Sequence, residues 1–313
     1  MRQPLRIPEK VRKVALTRGS AGAAWLAALP DAIADIAGRW GLTIGESPPN
    51  ATEAFVAFAR TEDGRDVVLK AVIAGVDPTR QEMRALRAAD GRGYARLLRA
   101  DETRNILLLE RLGPQLHQLG ISEDELLSRI CATLRVAWMP QPEGPPFATG
   151  AEKAEELAAV IRDNWEALGR PCTQKAYGLA LEFAARRREA FDPARSVLVH
   201  GDPHEWNTLQ SPDSPTGFLF IDPDGAFAEH AFDLAIPMRE WPNGLPDGDL
   251  LEHGRRRCAR LAELTGVAPG PIWEWSLMQV VSNGLLLKQI EAEAGAAIEF
   301  ALADAWAEAG DWV

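Results

Sequence analysis

Residues 197–207 read VLVHGDPHEWN, and residues 218–225 read FLFIDPDG. In each stretch, an apolar run typical of a buried strand is followed directly by polar side chains. Asp202 and Asn207 are separated by four residues, and Asp222 comes directly after the second run. If both runs belong to one small sheet and end at the same edge, these three side chains will lie close together.

The D-x-x-x-x-N spacing of this segment is that of a kinase catalytic loop. Phosphoryl transfer requires the attacking hydroxyl to be held in line and the phosphate charge to be neutralised. A carboxylate can take the proton of the hydroxyl, and Asp and Asn oxygens suit Mg²⁺. We therefore predict that Asp202 is the catalytic base and that Asn207 and Asp222 bind Mg²⁺. Each residue alone is more typical of a turn, but the two motifs in this order favour a site.

The chain ahead of these motifs predicts a small antiparallel sheet. Five β-compatible runs joined by short turns span residues 42–47, 54–60, 66–73, 95–100 and 105–110. A helix is predicted between the third and fourth runs, beginning after Asp77 as its N-cap and ending at Gly91. Three strands, one helix and two strands form the order expected for the small lobe of a protein-kinase-like fold.

Lys70 is a charge inside the apolar run of residues 67–72. Burying a charge without a partner is costly, so Lys70 either faces outward or is paired. In the kinase interpretation it contacts the α and β phosphates of the nucleotide, and Glu82 of the following helix pairs with it. The backbone from Glu110 to Leu112 is then the hinge that hydrogen bonds to adenine, although a plain strand and turn remains an alternative.

Helical periodicity dominates the rest of the chain, over residues 123–139, 151–168, 175–190, 250–264 and 272–307. A further helix is predicted over residues 25–40, and Pro30 is expected to break or kink it. We therefore predict an α+β, protein-kinase-like fold of two lobes. Residues 1–111 would form a small lobe that consists of a leading helix and an antiparallel sheet with one inserted helix. Residues 112–313 would form a larger, mainly helical lobe.

The composition excludes several classes of protein. The 313 residues have a formal net charge of −11, which disfavours binding to nucleic acid, where Lys and Arg must replace counterions. The three cysteines are far apart in sequence, so they form no C-x-x-C pair and fit a reducing compartment. No signal-like or bilayer-spanning apolar run is present. We expect a cytoplasmic protein without a membrane partner.

Other catalytic motifs are missing from the sequence. It contains no P-loop, no dinucleotide-binding fingerprint and no nucleophile elbow. His200 and His204 have a spacing that would suit zinc on a helix. Gly201 and Pro203 disfavour a helix there, so a zinc site is the less favoured alternative. We interpret His200 as a residue that holds the catalytic loop in place.

The segment from residue 197 to 234 resembles the aminoglycoside and hydroxyurea phosphotransferases, which are small-molecule kinases. The resemblance rests on elements that stand in the family order: His200-Gly201-Asp202, Asn207, Ile221-Asp222-Pro223 and Phe232-Asp233-Leu234. Residues 24–30 and 107–112 resemble the streptomycin branch of that family. Pro203 departs from the pattern, because an apolar residue is usual there, and so does the lack of a Leu-His pair at residues 137–138.

The resemblance implies ATP, Mg²⁺ and transfer of phosphate to a hydroxyl of streptomycin, a small cationic substrate. It also implies the roles given above for the base, the metal ligands and Lys70, and a monomer is expected. Asp233 would brace the catalytic loop, or cap a helix, or both.

The acceptor is the least determined part of the prediction. Alternatives are hydroxyurea, a peptide antibiotic of the viomycin type and a sugar-like metabolite, and a non-catalytic nucleotide-binding protein is a further possibility. A polycationic acceptor requires carboxylates in its pocket. The candidates are Glu205, Asp247, Asp249, Glu252 and Glu274, with Trp241, Trp273 and Trp275 as possible walls.

Overall fold

The computed structural model describes residues 5–48, 54–73, 78–141, 146–241 and 244–312. The chain forms two compact units, residues 1–113 and residues 114–313. Asp77, the expected N-cap, lies outside the described residues. No helix within the described ranges is both long and apolar enough to cross a bilayer.

The described residues of the first unit form one five-stranded sheet and three helices. Its elements are α1 (Glu9–Thr17), α2 (Gly19–Trp40), β1 (Leu42–Ile44), β2 (Ala54–Thr61), β3 (Asp66–Val72), α3 (Pro78–Ala89), β4 (Leu97–Asp101) and β5 (Ile106–Glu110). The strand order is β1-β2-β3-β5-β4, and every neighbouring pair is antiparallel. The order of strands and of the inserted helix α3 is therefore the predicted one.

Helix α2 runs through Pro30 without the predicted break. Proline removes one backbone hydrogen bond and disfavours a helix interior. Leu29 and Ile33, on either side of it, are each only 2% exposed, and they belong to the apolar cluster that α2 forms with the sheet. Burial on both sides stabilises the helix enough to offset the missing bond.

The second unit contains seven helices and four short strands among its described residues. They are α4 (Glu123–Ala137), α5 (Gly150–Trp165), α6 (Gln174–Glu189), β6 (Val197–Val199), β7 (Thr208–Gln210), β8 (Phe218–Phe220), β9 (Ala226–Ala228), α7 (Ala231–Arg239), α8 (Leu250–Thr265), α9 (Pro269–Gln289) and α10 (Glu293–Ala307). Strand β6 pairs with β9 and β7 pairs with β8, both antiparallel, so β6 and β8 lie in different two-stranded sheets and not in the single small sheet that was expected. Helix α9 packs against α5, α6, α7, α8 and α10 and is the centre of this unit.

The helices of the second unit differ from the prediction in two places. The single helix expected over residues 272–307 is the pair α9 and α10, because Glu291 adopts a left-handed backbone conformation with φ of +60° that a right-handed helix cannot contain. Helix α7 was not predicted, since it is buried on nearly all sides and lacks an amphipathic pattern.

Candidate active site

The β7–β8 ladder brings the backbone of Asn207 next to that of Ile221, the residue before Asp222. Asn207 comes immediately before β7, and Asp222 comes just after Ile221 at the end of β8. The Ile221 N–H donates to the Asn207 carbonyl oxygen over 2.9 Å, which extends the ladder by one pair. Asp222 then takes a left-handed conformation with φ of +57°, so the chain turns at this point.

Asn207 also closes the loop that begins at Asp202. Its Nδ2 donates to the Asp202 carbonyl oxygen over 3.1 Å and lies 3.4 Å from Asp202 Oδ2. Within the described residues no donor is hydrogen bonded to Asn207 Oδ1. The amide is thus held by its nitrogen, and its oxygen is left as a hard ligand of the kind that Mg²⁺ takes.

The Asp202 carboxylate is held from one side by His204. His204 Nδ1 accepts a hydrogen bond from the Trp206 N–H over 3.1 Å, so Nε2 bears the proton and donates to Asp202 Oδ2, also over 3.1 Å. Burial would raise the pKa of Asp202, but this hydrogen bond and the electrostatic interactions with His204 and Arg239 outweigh it and lower the pKa. The side chain of Asp202 is still 35% exposed. It is therefore an ionised, accessible carboxylate of fixed orientation.

His200 fixes the backbone of the same loop and is fully buried. Its Nδ1 accepts from the Asp202 N–H over 3.1 Å, and its Nε2 donates to the Ile221 carbonyl oxygen over 2.9 Å. Burial lowers the pKa of His200 to about 4, so the ring is neutral. Both ring nitrogens are engaged, which argues against the zinc alternative. The described ranges also contain no cluster of three His, Cys, Asp or Glu able to hold a metal.

Asp233 joins the loop to the helical part of the unit. It is fully buried, and its two oxygens accept from the His200 N–H, the Gly201 N–H and Trp138 Nε1 over 3.0, 2.7 and 2.8 Å. Burial raises its pKa to about 6, while these three donors favour the carboxylate. It lies inside the first turn of α7, with His230 at the cap position, so it is not the helix cap. Trp138 was missed by sequence reasoning.

Gly201 is constrained by its conformation and by its neighbour. Its φ is +95°, and a Cβ added there would lie 2.8 Å from the Cβ of Asp224. We expect Gly201→Ala to shift the catalytic loop and to lower kcat at least about tenfold, because small displacements of reacting groups cost large factors in rate. Steady-state kinetics measure the effect.

Gly120→Ala is the matched control for this variant. Gly120 also has a positive φ, of +63°, but a Cβ there meets nothing within 4 Å. It introduces backbone strain without the contact, so its kcat is expected to stay within about threefold of the wild type. Equal effects of the two variants would show that the contact with Asp224 is unimportant.

A cavity of about 320 Å³ opens beside Asp202 within the second unit. Helices α5, α7 and α9 and the catalytic loop contribute its walls. The lining residues are Lys153, Glu156, Leu157, Val160, Gly201, Asp202, Asp224, Ala226, Phe232, Ile236, Arg239, Gln279, Ser282, Asn283 and Leu286. It is large enough for a small hydroxylated molecule or for part of a larger one.

None of the proposed pocket carboxylates and tryptophans lines this cavity. Glu274 is buried and forms ion pairs with Arg186 and Arg187, at 2.7 and 2.5 Å. Trp273 and Trp275 are at most 1% exposed and belong to the core. The carboxylates that do line the cavity apart from Asp202 are Glu156 and Asp224.

In the first unit, Lys70 and Glu82 form an ion pair. Lys70 Nζ lies 2.8 Å from Glu82 Oε1, and the two side chains are only 12% and 8% exposed. Lys70 is on β3, between Val56 of β2 and Leu107 of β5, and Glu82 is on α3. The alternative of an outward-facing strand lysine is therefore excluded. The pair has the arrangement expected of a lysine poised to contact nucleotide phosphates.

Glu110 and Leu112, which were predicted to contact adenine, differ in the hydrogen bonding of their backbone groups. The Glu110 N–H donates to the Arg96 carbonyl oxygen over 3.1 Å, and Glu110 Oε1 accepts from the Arg96 N–H over 2.7 Å. Leu112 follows the end of β5, and no backbone hydrogen bond to it is found within the described part of the chain. The backbone N–H and carbonyl oxygen of Leu112 are thus available for hydrogen bonds to a ligand such as adenine.

A family model described as aminoglycoside/hydroxyurea antibiotic resistance kinase matches residues 39–289. The chain belongs to this family. It is a phosphotransferase with an alcohol group as acceptor, which disfavours the non-catalytic alternative. As a kinase it uses a nucleoside triphosphate and a divalent metal.

Individual relatives agree with the family assignment. The chain is 28% identical to streptomycin 6-kinase of Streptomyces glaucescens over 85% of each chain. It is 29% identical to hydroxyurea phosphotransferase of Kitasatospora aureofaciens over 89% of this chain and 79% of that one. The crystal structure of choline kinase LicA of Streptococcus pneumoniae has a TM-score of 0.61 at 14% identity, covering 90% and 99% of the two chains. The predicted family and the α+β, protein-kinase-like fold are thereby confirmed.

Proposed function

We propose that this kinase transfers the γ-phosphoryl group of ATP to a hydroxyl of an aminoglycoside, with streptomycin as the first candidate. The observation that supports it best is the Asp202 carboxylate, ionised, accessible and oriented by His204, at the wall of a cavity of substrate size. The likeness to streptomycin 6-kinases of two Streptomyces species supports the choice of acceptor.

In this proposal each polar residue of the loop has one task. The oxygen of the acceptor hydroxyl attacks the γ-phosphorus, the bond from that phosphorus to the β,γ-bridging oxygen breaks and ADP leaves, while Asp202 accepts the proton of the hydroxyl. His204 keeps the carboxylate in the orientation for that proton transfer. Asn207 and Asp222 would hold Mg²⁺, and a bound Mg²⁺ would supply positive charge against the phosphates. His200 and Asp233 hold the loop backbone, so the base does not have to be ordered when substrate binds.

The remaining assignments concern ATP. Lys70, aligned by Glu82, contacts the α and β phosphates, which is the role of a lysine at this place in a kinase sheet. Leu112 supplies the backbone groups for adenine, and Glu110 ends the strand that positions them.

Hydroxyurea is the second candidate acceptor. Its support is the likeness to hydroxyurea phosphotransferase, together with two cationic side chains, Lys153 and Arg239, among the cavity residues. These positive charges make the binding of a polycation less favourable, but they do not repel a small neutral molecule.

An acceptor panel with purified protein, ATP and Mg²⁺ tests the proposal. Streptomycin, viomycin, hydroxyurea and a simple polyol are supplied, and the phosphorylated product is identified by mass spectrometry. Expression in a sensitive bacterium should raise its tolerance of the compound that is modified. If streptomycin gives no product while hydroxyurea does, the acceptor assignment fails and the kinase assignment stands.

Loss of either proposed metal ligand is expected to change the need for magnesium. Asn207→Ala and Asp222→Asn should each raise the half-saturating Mg²⁺ concentration by about tenfold or more, since a metal site weakens by such factors when its ligand shell is altered. Mg²⁺ titration of the initial rate measures this. Asp213→Asn, an exposed carboxylate in the turn between β7 and β8, is the control, and all three curves coinciding would reject the assignment.

A further inference from the structure

Two polar residues of the cavity wall share one buried carboxylate. Arg239 Nη1 donates to Glu299 Oε1 over 3.1 Å, and Asn283 Nδ2 donates to the same oxygen over 2.6 Å. Arg239 and Asn283 line the cavity, whereas Glu299 does not. Glu299, on α10, is only 6% exposed. The carboxylate therefore holds two wall residues, on α7 and α9, from the side away from the cavity.

Arg239 has more donors than partners. Its Nη1 makes both of its ion pairs, to Glu299 and Glu240, each at 3.1 Å. Within the described residues Nε is buried without a hydrogen bond, and no hydrogen bond from Nη2 is found. A guanidinium has five N–H donors in a fixed plane. Since the side chain is 15% exposed and lines the cavity, its Nη2 group is left for an oxygen atom of a ligand.

We infer that Arg239 binds and positions the acceptor through an oxygen next to the hydroxyl that is phosphorylated, an inference that rests on the proposed function. Asp202 lines the same small cavity, so an acceptor that presents its hydroxyl to Asp202 also reaches Arg239. An aminoglycoside offers a hydroxyl on a neighbouring carbon, and hydroxyurea offers its carbonyl oxygen. The same contact serves either acceptor.

The charge of Arg239 also restricts how an acceptor can lie. A guanidinium repels an ammonium or guanidinium group at short range, and the repulsion is stronger where water is partly excluded. Glu156, another carboxylate of the lining, is already paired with Lys153, whose Nζ lies 2.8 Å from Glu156 Oε2. The cationic groups of an aminoglycoside therefore avoid Arg239, and this repulsion limits the orientations that the acceptor can take in the cavity.

Replacement of Arg239 tests this inference. Arg239→Gln is expected to raise the acceptor KM at least about tenfold, the effect of losing one charge-assisted hydrogen bond, and to leave the ATP KM unchanged. Arg239→Lys keeps the positive charge but loses the planar arrangement of guanidinium donors. Its acceptor KM should therefore lie between those of the wild type and Arg239→Gln. Arg260→Gln, which removes an arginine paired with Asp124 and Glu263 outside the cavity, is the control and should match the wild type.

Glu299→Gln provides a second variant in case Arg239→Gln fails to fold. It keeps an oxygen for Asn283 and Arg239 but removes the charge that holds Arg239, and it should raise the acceptor KM several-fold. An acceptor KM within twofold of the wild type in folded Arg239→Gln, or in Glu299→Gln if the former does not fold, overturns the inference.

Calorimetry of streptomycin binding separates the inference from the proposed function. If the wild type phosphorylates no acceptor, yet streptomycin binds at least about tenfold more weakly to Arg239→Gln than to the wild type, the proposed reaction fails and the inference stands. If the wild type turns over an acceptor and Arg239→Gln keeps its KM, only the inference fails. Absence of both turnover and binding overturns the two together.

Discussion

Asp202→Asn is expected to lower kcat by a factor on the order of 10²–10⁴, the range typical of losing a general base. The amide has nearly the same shape as the carboxylate and still accepts the hydrogen bond from His204 Nε2. It has no basicity at neutral pH, so the acceptor hydroxyl keeps its proton during attack. Steady-state kinetics at saturating acceptor, with ATP affinity measured separately, distinguish loss of chemistry from loss of nucleotide binding.

The control for this variant is Asp213→Asn, which removes an exposed carboxylate from the same small sheet region. It should retain the wild-type kcat. Turnover of Asp202→Asn within a few-fold of that control would remove Asp202 as the base. A loss of ATP affinity in Asp202→Asn that accounts for the whole effect would instead assign the residue to nucleotide binding.

Asp233→Ala is expected to reduce both stability and turnover. Three buried donors, from His200, Gly201 and Trp138, would lose their acceptor together. Each buried donor left unsatisfied costs about 1–3 kcal/mol, so the free energy of unfolding should fall by about 3 kcal/mol or more. Because two of the donors are backbone groups of the catalytic loop, kcat should fall in the protein that remains folded.

Urea denaturation and kinetics of the same preparation check this expectation. Asp304→Ala is the control, because Asp304 accepts one backbone hydrogen bond, from the Thr173 N–H, at a partly exposed position. It should cost no more than about 1.5 kcal/mol and leave kcat unaltered. If Asp233→Ala unfolds at the same urea concentration as the control, the three hydrogen bonds contribute little and Asp233 is not the brace of the loop.

Several contacts of the candidate site could be predicted because the residues that make them are close together along the chain. Asp202 and Asn207 are five positions apart, so they cannot lie far from each other, and Asn207 Nδ2 donates to the Asp202 carbonyl oxygen. Lys70 and Glu82 are twelve positions apart, on one strand and the helix that follows it, and they form the expected ion pair. In both cases the distance along the chain limits the distance in space.

The acceptor cavity could not be predicted in this way. Its walls come from α5, α7 and α9, and the buried Glu299 that holds Arg239 is 60 positions away from it. The proposed pocket carboxylates were chosen by charge alone, and Glu274 shows why that failed. Two arginines of α6 neutralise it within the protein.

The sequence by itself determined the succession of strands and inserted helix in the first unit, the family and the Lys70–Glu82 ion pair, because these depend on short-range periodicity and on spacing within one or two elements. Only the tertiary structure decided which buried groups satisfy one another. Trp138 and Asp233 are 95 positions apart and meet because helix packing brings two distant segments to the same buried point. Which buried polar groups pair depends on the shape of the packed core and on the free-energy cost of leaving such groups unpaired. Neither of these can be inferred from a local sequence pattern.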